Sequence, residues 1–187
     1  MQDFVHLHVH TQYSLLDGQA SVSRLVDKAM KDGMKGIAVT DHGNMFGAIE
    51  MYKKAIKSGI KPIIGIEAYL AEFGMEKKEG RNFHLILFAK NEKGYKNLMK
   101  ISSEAYINGF YYKPRTDKEF LKNHSEGIIC LSACMQGEIS RRILDKEPFE
   151  NIENAVNSYI EIFGKDDFYI EVQGNGIEGQ RELNKKL

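Results

Sequence analysis

Three of the six histidines stand on alternate residues in VHLHVH, at positions 5–10. On a β-strand, alternate side chains point to one face, so His6, His8 and His10 would present their imidazoles side by side. Two imidazoles at this spacing can bind one metal ion. A His-x-His pair on a strand is more often solvated or hydrogen-bonded, and the triplet alone does not decide between these roles.

Other metal-binding residue types accompany later apolar runs of the chain. Asp41 and His42 directly follow one run, Glu67 lies within the next, and Cys134 comes just after another. In parallel α/β folds, groups at the carboxyl ends of the strands meet at one edge of the sheet. His84 departs from this rule because it begins its run, so we expect either an earlier strand start or a loop position.

This set of donors favours a particular chemistry. Imidazole, thiolate and carboxylate together suit zinc, manganese or iron better than calcium or magnesium. Because an unpaired buried carboxylate is costly, Glu67 should be a metal ligand or ion-paired. Clustered ions lower the pKa of bound water to about 7 and bind both the attacking and leaving oxygens of a phosphoryl group. The pattern therefore predicts phosphoester hydrolysis.

Alternating strands and helices must position these residues. Apolar runs predict strands at 4–10, 36–40, 61–71, 83–89, 127–132 and 168–172. Helical spacing predicts a helix from about Val22 behind a serine cap, a second with Ile49, Tyr52 and Ile56 on its apolar face, and three more at 92–107, 136–144 and 148–163. This order predicts a mostly parallel α/β domain, open or closing towards a barrel.

The composition limits the classes of function. With 187 residues, 42% of them hydrophobic, the chain suits a single domain. Twenty-six basic and 26 acidic side chains give no net charge, which excludes a global attraction to nucleic acid or membranes. Two cysteines are too few for a disulfide framework, and no apolar run could span a membrane. We therefore expect a cytoplasmic setting.

Seven stretches together carry a family resemblance. They are HLHVHTQYSLLDG, TDHGNMFGA, GIKPIIGIEAY, FHLILFAKNEKGYKNL, GFYYKPR, LSACMQGEI and FYIEVQGNG. In this order they resemble the polymerase and histidinol phosphatase (PHP) domain at the amino terminus of bacterial replicative DNA polymerases. The resemblance implies a distorted seven-stranded α/β barrel.

The resemblance also implies a site for three metal ions. The implied ligands are His8, His10, Asp17, His42, Glu67, His84 and Cys134. Glu67 would bridge two ions, one held by His8 and His10 and the other held by His84 and Cys134. Asp17 and His42 would hold the third ion. Family members usually add two ligands from a late Asp-x-His motif, which is absent up to Leu187. We therefore expect residues 1–187 to be an incomplete PHP domain that lacks the last barrel strand.

The implied function has two levels. The parent would be a DNA polymerase that uses magnesium, DNA and dNTPs and contacts a proofreading exonuclease subunit and a sliding clamp. This segment would not polymerise DNA by itself but would hydrolyse phosphoesters with two or three Zn, Mn or Fe ions, as a 3′–5′ exonuclease or pyrophosphatase does. The alternatives are a stand-alone phosphatase of the histidinol phosphatase type and a structural domain braced by metals.

Several nearby residues have other interpretations. We expect His6 to support the site indirectly or to be hydrogen-bonded, and Asp41 to cap the following helix. Lys113 and Arg115, in YYKPR, could contact a substrate phosphate or belong to an ordinary loop.

Overall fold

Across residues 4–187, the part of the chain that the computed structural model describes, six strands form one sheet. They are β1 (Gly36–Val39), β2 (Lys61–Ala71), β3 (Asn82–Ala89), β4 (Arg115–Thr116), β5 (Ile128–Leu131) and β6 (Phe168–Tyr169). The order is β1-β2-β3-β5-β6, and β4 pairs with the end of β2. The expected α/β class is confirmed.

One strand makes the sheet mixed. β3 runs antiparallel to both β2 and β5, whereas the β1–β2, β2–β4 and β5–β6 pairs are parallel. The loop 72–81 joins β2 to β3 without a helix, and a direct connection of this kind produces an antiparallel pair. The sheet therefore carries a reversed strand that strict strand–helix alternation does not predict.

The predicted first strand is wrong, because residues 4–10 form no regular ladder. Ala38 donates its N–H to the carbonyl of His6 at 3.1 Å, and Thr40 donates to that of Val9 at 2.8 Å. A step of two residues from Ala38 to Thr40 thus matches a step of three residues from His6 to Val9 on the neighbouring segment. The hydroxyl of Thr40 accepts the N–H of Val9 at 2.8 Å, so a side chain replaces the regular ladder there.

Seven helices accompany the sheet within the described residues. They are α1 (Val22–Lys31), α2 (Ala48–Lys57), α3 (Glu92–Ile107), α4 (Lys118–Asn123), α5 (Glu138–Leu144), α6 (Phe149–Phe163) and α7 (Gln180–Asn184). Ser21 caps α1 through the N–H of Arg24, as predicted. The short elements α4, α7 and β4 have no clear apolar period and were not predicted. None of the helices described is long and apolar enough to cross a membrane.

The two faces of β2 and β3 pack against different parts of the molecule. Ile66 and Leu85 lie on the face that packs against α3 and α6, in the largest hydrophobic cluster. Ile86 and Phe88 lie on the opposite, inner face beside Ala38 of β1 and Leu131 of β5. Because side chains alternate along a strand, this inner face is also the one that carries Glu67 and His84.

The buried face of α2 differs from the prediction. Ile49, Tyr52 and Ile56 are exposed, whereas Ala48, Met51 and Ala55 are buried in the cluster that α1, α2 and β1 share. Both triplets have helical spacing, so periodicity could not show which side packs against the sheet.

Glu138 joins three helices through a buried ion cluster. Its carboxylate lies 2.8 Å from Lys118 Nζ of α4, 2.8 Å from Arg142 Nη2 of its own helix, and accepts the hydroxyl of Tyr159 of α6 at 2.7 Å. Burial alone would raise its pKa, but Lys118, Tyr159 and Arg142 together lower it below the usual 4.5. The carboxylate therefore stabilises the fold in its charged form.

We predict that Glu138→Gln lowers the free energy of unfolding by about 1–3 kcal/mol at pH 7, because it removes the buried charge that pairs with Lys118 and Arg142. Since folding lowers the pKa of Glu138, its contribution is present above the unfolded value and is lost as pH falls through the folded one. Urea unfolding at pH 7 and below 4.5 should show the difference between wild type and variant shrinking with pH. Glu126→Gln, which disrupts an exposed pair with Lys93, is the control and should change little. Equal effects of the two variants would contradict the assignment.

Candidate metal centre

The centre of the site is the carboxylate of Glu67, which is only 1% exposed. Its Oε1 lies 3.2 Å from His8 Nε2 and 2.8 Å from His84 Nδ1. Its Oε2 lies 3.4 Å from His10 Nε2 and also faces His42 Nδ1. Four imidazoles thus surround a single buried carboxylate.

Backbone pairing holds His42 against Glu67. Residues 40–43, which extend β1, continue its pairing with β2. Glu67 donates its N–H to the carbonyl of Asp41 at 3.1 Å, and the carbonyl of Glu67 accepts the N–H of Gly43 at 2.8 Å. The ring of His42 stacks on that of His10, with centroids 4.0 Å apart. The expected convergence at the carboxyl end of β1 is therefore present.

His84 reaches the same place for a reason that the sequence did not suggest. It is near the start of β3, and β3 is antiparallel to its neighbours, so its first residues lie at the carboxyl edge of the other strands. β3 begins at Asn82, one residue before the predicted start, but the direction of the strand and not its start brings His84 to the site. The expected loop position is wrong.

Asp17 lies in a loop that is held in place by hydrogen bonds to Asp41. The buried carboxylate of Asp41 accepts the N–H and hydroxyl of Thr11 at 2.6 and 2.8 Å and the hydroxyl of Ser14 at 2.6 Å. This loop brings Asp17 into contact with His42 Nε2. The predicted helix-capping role of Asp41 is wrong, because the residue at the cap of α2 is Gly47.

Cys134 lies at the edge of the cluster, just past β5. Its Sγ is 3.7 Å from His84 Nδ1 and accepts the N–H of Gln136. Ala133 adopts a positive φ of 60°, which is unfavourable for a residue with a Cβ and turns the chain directly before the thiol. The backbone thus orients Cys134 at a cost in conformational free energy.

The site contains residues that the sequence analysis missed. Glu171 Oε1 lies 2.7 Å from His8 Nδ1, and the side-chain amide of Gln173 lies 3.1 Å from the same atom. Tyr69, two residues after Glu67, stacks on His42 with centroids 6.1 Å apart. A carboxylate in the apolar run FYIEV was a usable signal for Glu171, by the argument already applied to Glu67.

The remaining predicted residues, His6, Lys113 and Arg115, differ in where they lie relative to the Glu67 carboxylate. His6 is exposed and packs edge-on against Phe4, away from the Glu67 carboxylate. Lys113 Nζ lies 5.3 Å from the centre of the Tyr69 ring, close to the cluster. Arg115 is only 1% exposed and donates to the carbonyls of Gly109, Lys77 and Met75, so its predicted contact with a phosphate is wrong.

The charges of the cluster are strongly coupled. Burial alone would lower the pKa of His8, but hydrogen bonds with Glu171 and Glu67 raise it to about 10. Burial also opposes the shift of His84, whose pKa is raised to about 9 beside Cys134 and Glu67. Glu67 has a pKa well below its usual range, because contacts with His42, His8 and His84 outweigh its burial. Burial lowers the pKa of His10.

The donor set fits metal ions. Ligand atoms around a tetrahedral ion at 2.0–2.1 Å lie about 3.3 Å apart. Two of the four imidazoles lie near this distance from Glu67, with His8 Nε2 at 3.2 Å from Oε1 and His10 Nε2 at 3.4 Å from Oε2. Within the described chain, His10 Nδ1 is buried without a hydrogen-bond partner, and the buried His42 Nδ1 and Glu67 Oε2 face each other as an ion pair without a directed hydrogen bond. Three triplets have donor atoms within 4.8 Å of one another: His8, His10 and Glu67; His10, Asp17 and His42; and His42, Glu67 and His84.

The chain is similar to known proteins in its sequence and in its fold. Residues 6–175 match the PHP domain family. The chain is 52% identical to DNA polymerase III subunit alpha of Borreliella burgdorferi and 47% identical to that of Helicobacter pylori, and each alignment covers 98% of this chain and 16% of the relative. The chain thus spans about one sixth of the length of these relatives. A solved structure of a candidate metal-dependent phosphoesterase from Bifidobacterium adolescentis shares the fold, with a TM-score of 0.60 and 16% identity over 99% of this chain and 83% of that one.

We predict that Asp41→Asn lowers the free energy of unfolding by about 1–3 kcal/mol, because an amide would turn an N–H₂ towards donors that now meet a carboxylate oxygen. Urea unfolding of the metal-free protein measures the effect. Asp17→Asn is the control and should shift stability by less than about 0.5 kcal/mol, because the Asp17 side chain is 62% exposed. A larger loss for Asp17→Asn than for Asp41→Asn would contradict the assigned roles.

Proposed function

The chain belongs to the PHP domain family, and we propose that its clustered side chains bind two or three divalent metal ions for phosphoester hydrolysis. The proposed ligands are His8, His10, Asp17, His42, Glu67, His84 and Cys134. The observation that carries the proposal is the burial of Glu67, with each carboxylate oxygen facing two imidazoles.

The carboxylate of Glu67 suits a bridging role. Oε1 faces His8 and His84, and Oε2 faces His10 and His42, so each oxygen lies among different donors. A bridging carboxylate would hold two ions at a fixed separation. The mixture of imidazole, carboxylate and thiolate supports zinc, manganese or iron. Such ions, when bound, supply Lewis-acid activation of water and neutralise phosphate charge.

The other residues orient and extend the site. A hydrogen bond from His8 Nδ1 to Glu171 would leave Nε2, the nitrogen that faces Glu67, free to bind an ion. Tyr69 covers one side of His42, and Lys113 lies over the Tyr69 ring. We propose that Lys113 contacts a substrate phosphate as a mobile point charge.

We also propose that the sheet curves towards the closure of a distorted seven-stranded barrel that is incomplete at its C-terminal end. Residues 6–9 hydrogen-bond to β1 and its extension at one edge of the sheet. At the other edge, the residues after β6 reach back to His8 through Glu171 and Gln173. The contacts between these two edges support the closure.

The longer relatives support a proposal about the parent protein. We infer a bacterial DNA polymerase III alpha subunit in the cytoplasm, acting on DNA and dNTPs with magnesium. A proofreading exonuclease subunit and a sliding clamp would be its partners. The names of these relatives favour this branch over a stand-alone phosphatase of the histidinol phosphatase type.

We predict that Glu67→Gln removes two metal ions together, because one carboxylate serves both. Inductively coupled plasma mass spectrometry of the purified variant measures the bound metal. Hydrolysis of bis(p-nitrophenyl) phosphate with Zn²⁺ or Mn²⁺ should fall by more than the roughly 10–100-fold typical of losing an outer partner. Glu153→Gln, on the exposed surface of α6, is the control and should retain metal and activity.

Two outcomes would count against parts of this proposal. Loss of a single ion in Glu67→Gln would exclude the bridge. Full metal occupancy of the wild-type chain without hydrolysis of the phosphodiester would instead support a structural domain braced by metals.

We predict that Glu171→Gln weakens metal binding by about 10–100-fold without emptying the site at saturating metal, because it loses only the carboxylate that orients His8. Competition with a fluorescent zinc chelator measures the affinity. Glu178→Gln removes a nearby exposed carboxylate and should leave the affinity unchanged. Identical affinities of wild type and Glu171→Gln would contradict the orienting role.

A further inference from the structure

The outer surface of α2 is apolar although the helix already packs through its other side. Ile49, Tyr52 and Ile56 are 52–56% exposed, and Phe46, in the turn before the helix, is 67% exposed. Spacings of three and four residues place the three helical members on one stripe about 10 Å long. We call these four side chains the α2 stripe.

Such a stripe is unusual for a helix that faces only water. Single exposed apolar residues are ordinary on a protein surface, but a row along one helix is a contiguous patch. The inner side of α2 is already covered, because Ala48, Met51 and Ala55 are buried against the rest of the domain. A helix with apolar residues on both sides is typically buried on both sides.

Charge indicates what covers the stripe. Lys53 and Lys57 lie one turn apart along one border of the α2 stripe, and both are exposed. No ion pair joins either lysine to another residue among 4–187. Lys54, on the other side of the helix, is already paired with Asp27 of α1 at 2.9 Å. Glu50, one turn before Lys53 on the same helix, accepts the hydroxyl of Tyr13 at 2.9 Å. The border of the stripe therefore presents two positive charges that no ion pair neutralises within residues 4–187.

We propose that the α2 stripe is a docking surface for an acidic amphipathic helix of a partner protein. The partner would place apolar residues at helical spacing on Ile49, Tyr52 and Ile56, and carboxylates beside Lys53 and Lys57. A straight helical stripe matches a second helix, which packs at 8–10 Å between axes. A second copy of this chain fits less well, because an antiparallel two-fold pair of α2 helices would place the lysines of both copies on the same side of the interface.

The surface is separate from the metal-binding proposal. None of its residues touches the carboxylate of Glu67, whose partners are His8, His10, His42 and His84. Failure of either proposal therefore leaves the other intact.

The test uses a fluorescent amphipathic peptide, about four turns long, with leucines along one face and glutamates beside them. A matched peptide carries lysines in place of the glutamates. Anisotropy titrations with the full chain should show the acidic peptide binding at least about tenfold more tightly, with weaker binding as salt rises.

Paired variants locate the binding. Ile49→Ser with Ile56→Ser should weaken the acidic peptide by at least about tenfold, and Lys53→Glu with Lys57→Glu should reverse the preference between peptides. Ile107→Ser with Ile177→Ser removes exposed isoleucines elsewhere and should change nothing. Circular dichroism melting confirms that each variant folds.

Three results would overturn the proposal. They are equal binding of the acidic and basic peptides, no measurable binding of the acidic peptide, and binding that the Ile49→Ser and Ile56→Ser changes leave intact. Concentration-dependent dimerisation that the same changes abolish would assign the α2 stripe to a second copy instead, and would also overturn it.

Discussion

The burial of one carboxylate, that of Glu67, constrains the rest of this structure. A buried charge is tolerated only with close partners, and here four histidines from different parts of the chain supply them. Those partners require the segment before β1, the turn after β1 and the start of β3 to meet beside the middle of β2. The same arrangement crowds buried nitrogen and oxygen atoms of His10, His42 and Glu67 that make no directed hydrogen bond, and a bound ion would satisfy them.

The sheet meets this constraint through alternation and one reversed strand. β2 and β3 are apolar on the face towards α3 and α6, and on the other face they carry both apolar residues and the site. The reversal of β3 brings its first residues to the edge where its neighbours end. The charged cluster of Glu138, Lys118 and Arg142 joins helices elsewhere, so structural and site charges are kept apart.

Helices and strands were predicted correctly from the sequence where the apolar pattern fitted only one kind of element. The bounds of β2 and α3 were predicted correctly, because long apolar runs and a long amphipathic helix give strong signals. Prediction failed where tertiary contacts decide between equal patterns, as on the two apolar sides of α2. The buried Arg115 and the position of His84 depend on chain direction and on loop carbonyls that no local pattern encodes. The seven proposed ligands remain a prediction, although the structure places all of them in or beside the cluster around Glu67.

The number of metal ions bound per chain tests whether the cluster around Glu67 is a metal centre. The purified chain would be loaded with Zn²⁺ or Mn²⁺, dialysed without chelator and analysed for bound metal per polypeptide. We expect two or three equivalents, because Glu67 lies between separate groups of donors. Less than one equivalent under saturating conditions would contradict it, since the histidines would then serve only to compensate a buried carboxylate.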